Sequence, residues 1–404
     1  MTMTDTIADA ARTECPPHTP GTHRFSQMER VYWGTTVSEA LLRELEIVGA
    51  RRVFVVTNRS LATTERLTSI IHSLGDRFVG TSAGVTAHAP RECAVAAADL
   101  ARRAGADLLL AVGGGSVIDA AKAALLCLRH GYTTTDQLEP HANVRIPDNG
   151  HAPTDAHQWR RLIAVPTTLS AAEFASTAGL TEPSRGLKQA FSNPMQMPQA
   201  VILDPAMTLS TPPRLLKSTG MKAIDHAAER LTSKAANDYS NVVSESALHL
   251  LAEGLARLDR YPEDLSLRSR LQYGMFMSMS GAAAGVAVNV SHALGHVLGG
   301  HSRVPHGETT GLVLPSVLTW NREFTGEAQA RIASALGASS VDAAVAIRSL
   351  AQQLLLPTRL RDVGVARNQL SELARKAMHE PLLANSSRPV EGPADLEAIL
   401  ESAW

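Results

Sequence analysis

Cysteine is scarce in this chain of 404 residues: Cys15, Cys93 and Cys127 are widely spaced, with no CxxC pair. An odd, sparse set makes no disulfide framework and points to a reducing compartment, so the cytoplasm is expected. Excess charge is lacking too, with a net charge of -1. That balance removes the electrostatic reason to expect nucleic acid or an anionic membrane as partner. An anionic ligand would have to be met by a local cluster of charge. No run of about 18 apolar residues is present to span a bilayer. Residues 1–25 lack the charged start and apolar core of a signal peptide, and their polar, proline-bearing sequence reads as a loosely ordered tail. What remains is the composition of a globular protein, 44% hydrophobic and 19% charged, long enough for two domains.

Beyond the tail, strand-like and helix-like segments alternate. Residues 52–57 (RVFVVT), 107–112 (DLLLAV), 161–166 and 200–203 are short apolar runs of the kind buried on both faces, and 78–81 is a further candidate. Residues 61–74 and 93–104 carry helical spacing between them. The alternation predicts an α/β domain with a parallel sheet over 26–205. Residues 130–159, rich in Thr, Asp, His, Pro and Asn, break the rhythm and read as a surface excursion or lid. From 206 to 404 helical periodicity takes over without convincing strands, which predicts an all-helical domain with the active site in the cleft between the two.

Gly113, Gly114, Gly115 and Ser116 follow a predicted strand and lead into a helix, in GGGSVIDAAK. Glycines let backbone approach a charged ligand closely, and a helix start adds unsatisfied N–H groups and a positive dipole end. The arrangement suits a pyrophosphate, although a tight strand-to-helix turn would look similar and the string is not GxGxxG. Asp119 and Lys122 lie on the helix, and Thr167 and Thr168 offer hydroxyls at the next strand end, where ligands of open parallel sheets collect.

The histidines cluster in the second half. His226 lies in TGMKAIDHAAE, on a helix expected to start near Ser218 or Thr219. His292 and His296 are four apart, on one helix face, and His306 follows a glycine-containing break. Such spacing occurs in metal sites and in structural helices alike. Lone histidines such as His88, His130 and His249 read as structural.

In order and spacing, GGGSVIDAAK, AVPTTLSAAE, VILDP, TGMKAIDHAAE, SHALGHVLGGHSRVPHGETTGLVLP and LPTRLRDVGV resemble the iron-containing alcohol dehydrogenase family, in the superfamily of dehydroquinate synthase and glycerol dehydrogenase. The resemblance implies that Gly113, Gly114, Gly115 and Ser116 hold the pyrophosphate of NADH or NADPH, with Asp119 and Lys122 completing the motif and Thr167 and Thr168 lining the pocket. It implies that His226, His292 and His306 match three metal-ligating histidines, with His296 near the nicotinamide. The ligating aspartate of the family, in GMDA, is here Lys222. An ammonium within ~4 Å of a dication opposes binding by roughly 8 kcal/mol at an effective dielectric near 20. A catalytic metal is therefore not expected. The departure points to the maleylacetate reductase branch, whose members generally carry asparagine there, work without metal and add hydride to an unsaturated oxo-dicarboxylate. The chain departs from that branch as well, with LSAAE where GSE is usual and lysine in place of asparagine.

These readings converge on a metal-independent NAD(P)H reductase of a small, anionic oxo or unsaturated oxo-acid. Lys222 and Lys188 are candidate anion contacts, unless Lys188 is a solvated surface lysine and Lys222 salt-bridges Asp225 or Glu229. His292 or His296 is the proton donor. A metal-dependent alcohol dehydrogenase using His226, His292 and His306, and a non-redox lyase or isomerase using Lys222, are the competing readings. Asn58-Arg59 stands where NAD-specific relatives often place an aspartate, which favours NADPH or dual use. Dimers are common among such relatives, so a homodimer is a possible assembly, though no interface can be read from the sequence.

Overall fold

The computed structural model describes residues 22–144, 154–182, 187–302, 304 and 307–404. Residues 1–21 of the expected tail, 145–153 of the expected excursion, and His306 lie outside the described residues. The first part of the chain runs β1 (Arg30–Trp33), α1 (Val37–Val48), β2 (Val53–Val56), a one-turn α2 (Arg59–Ala62), α3 (Glu65–Leu74) and β3 (Phe78–Ser82). It continues with α4 (Arg91–Arg103), β4 (Leu108–Gly113), α5 (Gly115–His130), β5 (Arg161–Pro166), β6 (Thr177–Glu182), β7 (Leu187–Ser192) and β8 (Ala200–Leu203). Helices follow: α6 (Pro213–Leu231), α7 (Asp238–Arg257), α8 (Leu265–Ser280), α9 (Val290–His301) and α10 (Thr309–Trp320). The last four are α11 (Arg322–Ala335), α12 (Ala343–Gln353), α13 (Leu370–Ala377) and α14 (Pro393–Ala403).

Six strands form one parallel sheet in the order β1-β8-β5-β4-β2-β3. Side chains alternate across it as the pleat requires. Val53, Leu110 and Ile163 pack with Leu41, Leu45, Leu67 and Ile70 of α1 and α3 on one face. Phe54, Leu109 and Leu162 pack with Ala98, Ile118 and Leu125 of α4 and α5 on the other. Burial on both faces explains the unbroken apolar runs of β2 and β4. A further core joins Ala164, Val201 and Leu203 of the sheet to Ile224, Leu251 and Leu271 of α6, α7 and α8. The helical half thus shares a core with β5 and β8 and is not a detached module. No helix among the described residues is long and apolar enough to cross a membrane.

Three local readings need correction. The expected helix over 61–74 is broken, because Thr64 caps α3 by accepting from Leu67 N. Helix α6 starts at Pro213, ahead of Ser218, since proline in the first turn has the right φ and needs no donor. Strands β6 and β7 form an antiparallel hairpin that the polar strings TAGLTE and LKQAFS did not advertise. Of the tail, Arg24 N donates to Ala283 O at 2.7 Å and the His23 ring packs edge-on against Tyr239, so this stretch is tied to the helical half.

Candidate active site

Two strand ends build the cofactor side. Gly113 closes β4 opposite Pro166 of β5, and Thr167 N donates to Gly113 O at 3.0 Å, so the glycine turn and the Pro-Thr-Thr loop lie side by side. A Cβ on Gly114 would fall 2.9 Å from Thr168 Cγ2, and one on Gly115 would fall 2.9 Å from Ser170 Oγ. Glycine is needed here for close approach, not for an unusual φ. No side chain caps α5, so the first-turn N–H groups at Gly115 and Ser116 could meet an anion there. Asn58 follows β2, the strand beside β4. Its side chain accepts from Leu61 N at 2.9 Å and caps α2, while Arg59 next to it is exposed.

Lys122 serves this loop from below. Its ammonium, fully buried, donates to the carbonyls of Ala172, Ala175 and Thr177 and pairs with Asp119 at 3.0 Å. Its partners are all protein atoms, so its contribution is to hold the segment after β5 against α5. The Asp119 carboxylate also faces Lys188 of β7, the two groups lying together over Gly179. Lys188 is half-buried, and burial lowers its pKa while Asp119 opposes the shift. It is therefore a cleft lysine and not a freely solvated one.

The helical half supplies the other wall. Leu169 N donates to Thr219 Oγ1 at 3.1 Å and Thr211 Oγ1 to Thr167 O at 2.6 Å, seating α6 on the cofactor loop. From Leu216 to Leu231 every residue of α6 is buried, including Lys222, Asp225, His226, Glu229 and Arg230. Spacings of three and four put 222, 225, 226 and 229 on one face, toward the starts of α9 and α10. Glu229 accepts from the backbone of Asn289, Ser291 and His292 at 3.0, 2.6 and 3.3 Å, and from His292 Nδ1 at 2.6 Å. Asp225 Oδ2 accepts from Ser291 Oγ and Thr310 Oγ1, both at 3.1 Å. The two carboxylates therefore stand at two helix N-termini, where dipole and N–H groups favour negative charge.

His226 and His292 stack with ring centroids 4.8 Å apart. Burial first, then Lys222 and Arg230, holds His226 well below its usual pKa, so it is neutral. Burial also pushes Lys222 down to about 7, against the pull of Asp225, and pushes Asp225 up to about 6, against the pull of Lys222. One turn beyond His292, His296 is half exposed and its Nδ1 lies 3.1 Å from Glu380 Oε2. The structure thus brings His226, His292 and Lys222 together, with His296 toward solvent. Glu380 is a site residue that the sequence reading did not single out, and Asp225 and Glu229 entered it only as salt-bridge partners of Lys222.

A buried lysine stands on the same helix face as two of the groups that could ligate a divalent ion. Asp225, Glu229 and His292 are the trio of ligand-type groups among the described residues, with atoms within 4.8 Å of one another. Both oxygens of Glu229 are taken by N–H donors and Asp225 Oδ2 by two hydroxyls, and Lys222 adds a buried cation beside them.

Comparison with known proteins now places the chain. Residues 29–205 match the family model of iron-containing alcohol dehydrogenase, and residues 217–404 match the C-terminal model of the Fe-containing alcohol dehydrogenase family. Maleylacetate reductase of Burkholderia cepacia is 32% identical over 381 residues, which is 94% of this chain and 96% of that one. Maleylacetate reductase 2 of Cupriavidus pinatubonensis is 33% identical over 313 residues, covering 76% of each chain. The crystal structure of maleylacetate reductase from Agrobacterium tumefaciens superposes with a TM-score of 0.79 at 25% identity, covering 96% of this chain and 99% of that one. The chain belongs to the iron-containing alcohol dehydrogenase family, on its maleylacetate reductase branch, and is a nicotinamide-dependent oxidoreductase.

Proposed function

We propose that this protein is a metal-independent NAD(P)H-dependent reductase of a small anionic oxo-acid or unsaturated oxo-acid, of the kind the name maleylacetate reductase describes in its relatives. The observation that carries the reading is the buried Lys222, set on the α6 face that bears His226 and beside the stacked imidazoles. A reduced nicotinamide, when bound, supplies the hydride. The uncapped start of α5 and the hydroxyls of Thr167 and Thr168 bind its phosphates and orient it. Lys222, with Lys188 across the cleft, meets the substrate's carboxylate or oxo oxygen and stabilises negative charge as it develops there. Glu229, 2.6 Å from Nδ1 of His292, fixes the orientation of that ring toward the substrate. His296, held by Glu380 and open to water, is the group best placed to take up a replacement proton. The same reading keeps the protein in the cytoplasm, with a small-molecule substrate, no nucleic-acid or membrane partner, and a homodimer as assembly.

The test is to quantify bound metal in purified protein, then titrate NADH and NADPH before and after chelation and screen unsaturated oxo-acids for cofactor oxidation. Metal-free protein that binds reduced cofactor and turns over an oxo-acid is the expected result. One equivalent of iron or zinc whose removal abolishes turnover would return the enzyme to metal-dependent alcohol chemistry, with His226, His292 and His306 as ligands.

One observation favours a second reading, a lyase or isomerase. An amine lowered to about 7 by burial is a competent Schiff-base nucleophile. Borohydride in the presence of a carbonyl substrate would then add mass at Lys222, and absence of the adduct removes this reading.

A further inference from the structure

In the β6–β7 hairpin Lys188 stands directly opposite Thr181, and Gly179 lies diagonally across from it, opposite Ala190. Residues two apart on a strand share a face, so Gly179, Thr181 and Lys188 lie on one side of the hairpin. Ala178 and Leu180, on the other side, join the core built on Ile118 and Leu125 of α5. On the shared face the lysine leans back over the glycine. A Cβ on Gly179 would fall 2.9 Å from Lys188 Cε, 3.5 Å from its Nζ and 3.5 Å from Asp119 Oδ2. Gly179 takes no positive φ that would call for glycine, and a glycine inside a strand is otherwise unfavourable. What the missing side chain provides is room for the lysine stem. The ammonium led there is uncommitted: among the described residues it makes no hydrogen bond or ion pair, whereas Lys122 is bound to Asp119 and three carbonyls. Thr181 donates its hydroxyl to His88 O at 2.8 Å and its N–H to Ala89 O at 3.1 Å, which anchors β6 and leaves the lysine to follow the space over Gly179.

We propose that Gly179 is a positioning residue: by carrying no side chain it lets Lys188 lie back along β6, and so fixes where the ammonium meets a carboxylate of the substrate. The inference rests on the reading of Lys188 as a substrate contact and deepens it by naming what sets the reach of that contact. A methyl at position 179 meets the far end of a flexible side chain, which yields by swinging away from Asp119. The fold is kept while the charge moves.

The experiment compares full-length wild type, Gly179→Ala, Lys188→Met and the double variant, with NADPH as cofactor and maleylacetate, the substrate named in the relatives, as probe. Gly179→Ala is expected to raise KM for maleylacetate ~5–20-fold with kcat within about threefold, and to leave KM for NADPH unchanged. Lys188→Met is expected to raise KM for maleylacetate ~10–100-fold. In the double variant the alanine is expected to add nothing, because the side chain it displaces is gone. A urea midpoint at or above that of wild type shows that Gly179→Ala is folded, as alanine in place of a strand glycine should be. The proposal is overturned if Gly179→Ala leaves KM for maleylacetate unchanged, raises it equally with and without Lys188, or acts on NADPH instead. Failure of the underlying reading looks different: Lys188→Met then leaves KM for maleylacetate unaltered, which overturns both. Should even the wild type not turn over maleylacetate, calorimetry of maleate binding to the NADPH-loaded proteins reads the same contact. The same comparisons then apply to Kd, and a wild type that binds no maleate overturns both.

Discussion

Glu229 Oε2 lies 2.6 Å from Nδ1 of His292, and the same carboxylate closes the first turn of the helix that carries this histidine. One side chain on α6 therefore sets both the ring orientation of a site histidine and the docking of α9. Replacing it by glutamine keeps one acceptor oxygen but turns an N–H₂ group toward donors. Glu229→Gln is expected to lose ~2–4 kcal/mol of unfolding free energy, because buried donors are left unsatisfied, and Glu229→Ala at least as much. Urea denaturation checks the loss. A change below ~0.5 kcal/mol in both variants would mean that α9 docks by its apolar face alone.

Lys222 and Asp225, buried three residues apart on α6 and of opposite charge type, make a separate prediction about stability. Truncating one partner of a buried charge pair leaves the other uncompensated, at a cost of ~3–5 kcal/mol. Asp225→Asn is expected to fall near the lower end of that range, since Lys222 relieves part of the cost by releasing its proton. The double variant Lys222→Met/Asp225→Asn is expected to be more stable than Asp225→Asn alone. A double-mutant cycle measures this coupling, and strictly additive effects would show that the two groups do not sense each other.

Much of the sheet was legible because residues buried on both faces leave continuous apolar strings, as in RVFVVT and DLLLAV. The strand-to-helix turn was legible because three glycines follow an apolar run and lead into a helical one. The hairpin β6–β7 was not, since Thr177, Thr181, Gln189 and Ser192 give it a mixed surface without apolar alternation. Of the site, the histidines stood out by residue type and spacing. Asp225 and Glu229 could be read only as salt-bridge partners of Lys222, because their hydrogen-bond partners lie 60 to 85 positions away, at the starts of α9 and α10. A signal was present: 222, 225, 226 and 229 share one face of a helix whose residues from 216 to 231 are all buried. Polar residues concentrated on the buried face of such a helix mark a site more reliably than any one of them does. Lys122 is the converse case, since a motif residue assigned to the cofactor spends its hydrogen bonds on Ala172, Ala175 and Thr177.

Glu173 ties stability to pH. It is fully buried, neither carboxyl oxygen has a hydrogen-bond partner, and burial pushes its pKa up to about 8. In the unfolded chain it titrates near 4.3. The folded value lies above the unfolded one, so the stability linked to its proton is fully present below about 4.3 and is lost as pH rises through 8. Glu173→Gln mimics the protonated form. It is expected to be near neutral at pH 5 and stabilising at pH 8.5, by on the order of a few kcal/mol. Urea denaturation at both pH values measures it, and a difference that does not grow with pH would show that Glu173 is solvated or partnered in solution.

Cofactor choice turns on the loop after β2. Asn58 spends its side chain on capping α2, so it places no carboxylate where a ribose 2′-substituent would lie, and the exposed Arg59 guanidinium stands beside it. A 2′-phosphate placed there is expected to meet attraction without repulsion. Arg59→Ala is expected to weaken NADPH binding by ~5–20-fold while leaving NADH within about twofold, the loss of one partly exposed charge-assisted contact. Asn58→Asp, which can cap α2 equally well, is expected to weaken NADPH further by adding like charge and to tighten NADH through the ribose hydroxyls. Fluorescence titration of both cofactors against the three proteins separates these effects. If Arg59→Ala weakens both cofactors equally, the arginine supports the loop and reads no phosphate. If it weakens neither, discrimination lies elsewhere along the carboxyl edge of the sheet.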